Sequence, residues 1–111
     1  DVHTNLHGHP STTIVPATVA AAEAVGASGE ALLAAYAIGL EVGGKLGVAV
    51  GNQHYQRGWH ATATMGIFAS TAAVGRLLGL TVEQLQHAFG LAASQASGML
   101  KNFGTMTKPF H

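Results

Sequence analysis

The chain of 111 residues contains twenty Ala and fifteen Gly and is 48 % hydrophobic, which supplies a core for one domain or part of a larger one and excludes disorder. Five Lys plus Arg balance five Asp plus Glu, and charged residues make up only 9 %, which excludes an electrostatic footprint for nucleic acid. Cysteine is absent, so disulfides, thiolate zinc sites, cysteine nucleophiles and cysteine-ligated iron–sulfur clusters are excluded as well.

Asp1 to Pro10 (DVHTNLHGHP) is polar, carries three His and ends in His-Pro, which biases His9 away from helical geometry and predicts a loop. From Ser11 to Val25 apolar residues recur at helical spacing. Ser11 to Thr13 offer N-cap oxygens, and Pro16 is tolerable only near the first turn, so helix 1 is expected at about Ile14 to Val25, stopped by Gly26. Ser28 caps helix 2, Gly29 to about Val50, with Glu30 in its first turn where the helix dipole favours an acid. Gly39, Gly43 and Gly47 fall four apart on one face of this helix. Glycine in an exposed helix costs about 1 kcal/mol relative to Ala, so the stripe predicts close contact with another helix.

Gly51 to Gly58 reads as a polar connection, and helix 3 is expected from about Trp59 to Leu78, stopped by Gly79. Thr81 and Gln84 form a capping box opening helix 4, which runs to about Ala96. The last segment, SGMLKNFGTMTKPFH, reads as a loop with one short helical turn. No segment has strand period and no repeat appears, so the fold class is all-α, with about four closely packed helices. The longest uncharged runs carry Thr and Ser, and the chain opens without an initiator Met or apolar leader. The expectation is a cytoplasmic protein with no membrane span, cut at both ends.

Residues able to do chemistry gather in three connecting segments: Asp1, His3, Thr4, His7 and His9; then His54, Tyr55, Arg57 and His60; then Lys101, Asn102, Thr105, Thr107, Lys108 and His111. Loops at one end of a helical bundle can converge on one pocket. His3 with His7, or His7 with His9, have spacings open to metal ligation, but the only local carboxylate is Asp1. General acid/base work on an anion, with Lys or Arg holding carboxylates, is a second reading. Solvated and capping loop residues are a third. His87 and Lys101 are read as structural.

The stretches HGHPSTTIVPATVAAAEAVGASGEALLAAYAIGLEVGGKLG, RGWHATATMGIFASTAAVGRLLGL and LAASQASGMLKNFGTMTKPFH together resemble the MmgE/PrpD family over essentially the whole chain. That family includes 2-methylcitrate dehydratase, cis-aconitate decarboxylase and iminodisuccinate epimerase. The resemblance implies that residues 1–111 are a section of the large helical domain, without its N-terminal part and without the smaller α+β lid domain. It places His9 (His-Pro-Ser), His60 (GWHAT) and Lys108 (Thr-Lys-Pro) in the active site, with Asp1 matching the last residue of an Asp pair. Under this reading Lys108 neutralises a substrate carboxylate, while His9 and His60 share proton transfer and carboxylate hydrogen bonding. Asp1, His3 and Tyr55 are further substrate-binding candidates, and His7 stands with them.

The implied function is that of a lyase acting on a small di- or tricarboxylic acid by proton abstraction beside a carboxylate. No cofactor or metal is called for, and the full-length protein is expected to be a homodimer. 2-Methylcitrate dehydration, within propionate catabolism, is the leading expectation as the most familiar activity of the family, and GWHAT also departs from the HPP-type sequence associated with the animal decarboxylase. cis-Aconitate decarboxylation and iminodisuccinate epimerisation are the alternatives. A segment lacking the lid's Lys and His is expected to be inactive alone. A non-catalytic packing or oligomerisation module, supported by the glycine stripe, is the rival from another class.

Overall fold

The computed structural model describes every residue from Asp1 to His111. It contains α1 (Ser11–Val25), α2 (Gly29–Gln56), α3 (Ala61–Leu77) and α4 (Val82–Gln95), two 3-10 turns at Leu100–Asn102 and Lys108–Phe110, and no strand. The fold is all-α, and α3 is its centre, packing against α1, α2 and α4.

The punctuation is local. Gly26 ends α1 in the left-handed conformation, at φ 64°, where a side chain would be strained. Ser28 accepts from the Ala31 N–H at the start of α2, and Thr81 and Gln84 make both bonds of the capping box on α4.

Other boundaries shift for tertiary reasons. α1 begins three residues earlier than expected, and its N-cap is Pro10 without a side-chain bond. The Ser11 N–H is satisfied instead by the Asp1 carboxylate at 3.2 Å. Pro16 therefore sits inside the helix rather than in its first turn. α2 breaks at Gly51, with φ 60° and ψ −172°, a conformation essentially reserved for glycine. The expected end at Val50 coincides with this break, but the chain resumes helix through Gln56, so His54 and Tyr55 stand on a helical turn. Trp59 and His60 precede α3 rather than opening it. Trp59 pairs with Met99 in an isolated antiparallel bridge, and the His60 N–H donates to the Gly98 carbonyl at 2.9 Å.

The core is made of small side chains. Ile14, Ala35, Ala69 and Ala73 are fully buried, with Tyr36, Leu40 and Leu77 around them. A second cluster joins Leu6 of the N-terminal loop to Ala61 and Met65 of α3. The glycine stripe serves both. A Cβ on Gly39 would lie 2.9 Å from the Ala69 carbonyl, so this end is the expected helix contact. A Cβ on Gly47 would lie 2.0 Å from the Asn5 carbonyl, so the other end receives the loop instead of a helix.

Contrary to the expectation of no spanning segment, α2 is long and apolar enough, by length and composition, to cross a membrane. A core helix passes the same test, and here the glycine face is buried against α3 and the loop while Glu41 and Lys45 form an ion pair mid-helix.

Candidate functional site

A cavity of about 290 Å³ is lined by His9, Thr12, His60, Thr62, Lys108, Pro109 and His111. The three segments thus converge, and His9, His60 and Lys108 share one space. Larger depressions lie elsewhere, among them one of about 380 Å³ along Glu41 and Lys45 on α2 and one of about 620 Å³ holding His3, Thr4, His7 and Tyr55. The smallest of the three is the chemical candidate because it combines an ammonium group with three imidazoles.

His9 is held from both sides. Its backbone N–H donates to Thr62 Oγ1 at 3.0 Å, and its ring Nδ1 meets the Asp1 backbone carbonyl. A carbonyl only accepts, so Nδ1 carries the proton and Nε2 is the nitrogen left for a ligand. The Asp1 carboxylate accepts from Ser11 Oγ at 2.5 Å, and Tyr36 Oη donates to Ser11 Oγ at 2.6 Å. Asp1 therefore anchors the loop to α1 and is not among the residues lining the cavity.

His60 is the N-cap residue of α3 and is only 6 % exposed. Its carbonyl accepts from the Thr64 hydroxyl at 3.2 Å. That hydroxyl in turn accepts from His54 Nε2 at 2.6 Å, and the His54 ring stacks on Trp59. Burial lowers the pKa of His54. Phe103 meets the His60 ring edge to face at 4.9 Å and carries Lys108 Nζ over its own face at 5.0 Å, a cation–π contact that positions the ammonium group.

His111 is the residue that sequence reasoning passed over. It stood in the third cluster, but no motif singled it out. The usable signal is its spacing from Lys108. A 3-10 turn at Lys108–Phe110 brings i and i+3 to the same side, so both residues face the cavity. His3 and Tyr55 line a separate groove with His7 and are not brought to His9 and Lys108. No three His, Asp or Glu side chains form a group able to hold a metal ion.

The electrostatics favour a small anion. Thr62 lines the cavity from the first turn of α3, where unpaired N–H groups and the helix dipole supply partial positive charge, whereas Thr12 lines it from the first turn of α1, whose N–H groups are already bonded to Asp1, His9 and Pro10. Burial pushes the His60 pKa down from 6.5 to about 4, helped by His111, Lys108 and His9. At neutral pH His60 is an uncharged imidazole.

Between pH 6.5 and about 4 the unfolded chain binds more protons at this residue than the folded one, so the neutral His60 stabilises the fold above pH 6.5. That contribution is lost as pH falls through this window. Thermal unfolding from pH 7 to pH 4 is expected to show a fall in Tm that is shallower in His60→Gln; equal slopes would contradict the shift.

A cation, three imidazoles and the start of α3 around one cavity define a helical site suited to a small anion and to proton movement beside it. The chain belongs to the MmgE/PrpD family: the MmgE/PrpD N-terminal domain matches residues 1–111. It is 33 % identical over 115 residues to the cis-aconitate decarboxylase of Aspergillus terreus, covering 97 % of this chain and 24 % of that protein. It is 34 % identical over 108 residues to the cis-aconitate decarboxylase of Homo sapiens, covering 93 % of this chain and 22 % of that protein. A cis-aconitate decarboxylase-like protein of Aspergillus oryzae is also 34 % identical over 108 residues, or 90 % of this chain and 22 % of that protein. The chain therefore spans about a quarter of the length of these relatives. Human and fungal proteins are equally similar to it, so the GWHAT departure does not set it apart from the animal enzyme.

Proposed function

We propose that this chain is the His- and Lys-bearing part of the helical domain of a lyase that decarboxylates a small unsaturated tricarboxylate of the cis-aconitate type. The observation that carries the reading is the convergence of His9, His60 and Lys108 on one cavity. What supports decarboxylation over dehydration of 2-methylcitrate, the reading favoured from sequence alone, is the name that the relatives carry.

The chemistry suits the groups present. Loss of CO2 leaves the bonding electron pair on carbon, spread toward a remaining carboxylate, and the carbanion then takes a proton. Lys108 and the start of α3 neutralise the carboxylate that receives charge, and an imidazole moves the proton. The proposal includes a lid domain that closes the site and a cytoplasmic homodimer built through the helical domain, for which exposed Leu33 and Val48 on α2 supply apolar surface.

The test is a substrate panel on the full-length protein. cis-Aconitate is expected to yield CO2 and a five-carbon unsaturated dicarboxylate. Turnover of 2-methylcitrate or iminodisuccinate without CO2 release from cis-aconitate would overturn the reading in favour of dehydration or epimerisation.

A further inference from the structure

His111 faces His60 with the two Nδ1 atoms 3.3 Å apart and the rings at 89°. A hydrogen bond between two imidazole nitrogens needs one proton between them, so one ring donates and the other accepts. His111 Nε2 is buried and has no partner in the chain. If His60 were the donor, a neutral His111 would carry its proton on that Nε2, as a buried N–H with no acceptor among residues 1–111. Orphaned buried donors are rare in folded proteins. If His111 is the donor, Nε2 is left as an unprotonated lone pair.

His60 Nε2 has no hydrogen bond within the chain, yet it is not among the buried unpartnered atoms. It is therefore open to the cavity that His60 lines.

We infer that His111 is a positioning residue that holds His60 in the Nε2–H tautomer, which makes His60 a neutral hydrogen-bond donor to a substrate carboxylate and leaves proton exchange to His9 Nε2. The division follows from the outer partners of the two rings. His9 is bonded through Nδ1–H to the Asp1 carbonyl, which exposes a basic nitrogen. His60 accepts at Nδ1, which exposes an N–H. The lowered basicity of His60 agrees, since a ring crowded by His9, Lys108 and His111 and removed from water gains no second proton at neutral pH.

The inference rests on the proposed site, but its first test does not. Nitrogen-15 NMR of the full-length protein, histidine-labelled and without substrate, reports which nitrogen of each ring carries hydrogen. At pH 7 His60 is expected to show Nε2–H with an unprotonated Nδ1, and His111 to show Nδ1–H. A protonated Nδ1 on His60 would overturn the assignment whatever the protein's activity. Absence of turnover on every polycarboxylate, with these tautomers observed, would instead overturn the proposed function.

The second test is kinetic. His111→Leu is expected to raise KM about tenfold, equivalent to one charge-assisted hydrogen bond, with a smaller change in kcat. His111→Asn, whose amide can donate from the place of Nδ1, is expected to restore KM. Failure of Asn to restore it in a variant with unchanged Tm would overturn the positioning role. If the Leu variant does not fold, the tautomers of the unsubstituted protein decide.

Discussion

Lys108→Met in the full-length protein is expected to lower kcat/KM for the polycarboxylate substrate by about 10²–10³-fold, the scale of losing one preorganised charge at a developing anion. Methionine keeps the length of the stem and can pack on Phe103, where the ammonium group now sits 5.0 Å from the ring centroid. What disappears is the cavity's one ammonium group. The start of α3 beside Thr62 would retain part of the binding, because its partial charge does not depend on Lys108. The loss should therefore fall on kcat as well as KM, since charge on the retained carboxylate grows toward the transition state. Steady-state kinetics with Lys108→Arg alongside checks the assignment: Arg keeps the charge and should recover part of the rate. Wild-type turnover in Lys108→Met would remove Lys108 from the site and with it the proposed carboxylate contact.

Gly47→Ala is expected to destabilise the fold by about 2–4 kcal/mol despite alanine's better helix propensity. The added Cβ would stand 2.0 Å from the Asn5 carbonyl and 2.6 Å from Leu6 Cα. Both are backbone atoms, so no side-chain rotation relieves the clash. Either α2 moves or the N-terminal loop lifts, and Leu6, only 1 % exposed, leaves its cluster with Ala61 and Met65. Because the same loop carries His9, activity should fall together with stability. Gly90→Ala is the internal comparison. Gly90 lies within α4, and an added Cβ there meets nothing within 4 Å, so it should stabilise by about 0.5–1 kcal/mol. Urea unfolding of the two variants separates close packing from helix propensity; equal effects would refute the proposed contact between the loop and α2.

The distinction between these two glycines shows why part of the fold was legible and part was not. A stripe of Gly39, Gly43 and Gly47 announces that something approaches α2 closely. It does not say whether a helix or a loop does so, and here Ala69 meets one end while Asn5 meets the other. The boundary of α3 was misread for a related reason. Trp59 and His60 have no local signal against helix, but residues 98–100 bond to Gly58 and His60 and hold that strand-like pair outside it. The site shows the same division: Lys108 and His60 were found through motif resemblance, whereas His111 becomes meaningful only once a 3-10 turn and the Gly98 crossing bring it 3.3 Å from His60. Gly98 itself has φ 130°, and a Cβ there would stand 2.7 Å from Ala63 Cβ, so the crossing depends on a residue without a side chain.

By itself the sequence determined the all-α class, the caps at Gly26, Ser28 and Thr81, the family, and the absence of thiols from these 111 residues. Each of these depends on composition, on a recognisable motif or on partners within about four residues, where hydrogen bonding is set by local geometry. Tertiary structure decided which imidazoles meet, which nitrogen each presents, and that Asp1, His3 and Tyr55 stand outside the cavity. Those outcomes depend on backbone approaches between distant segments and on burial of His60 among other basic groups, and neither quantity exists until the helices have packed.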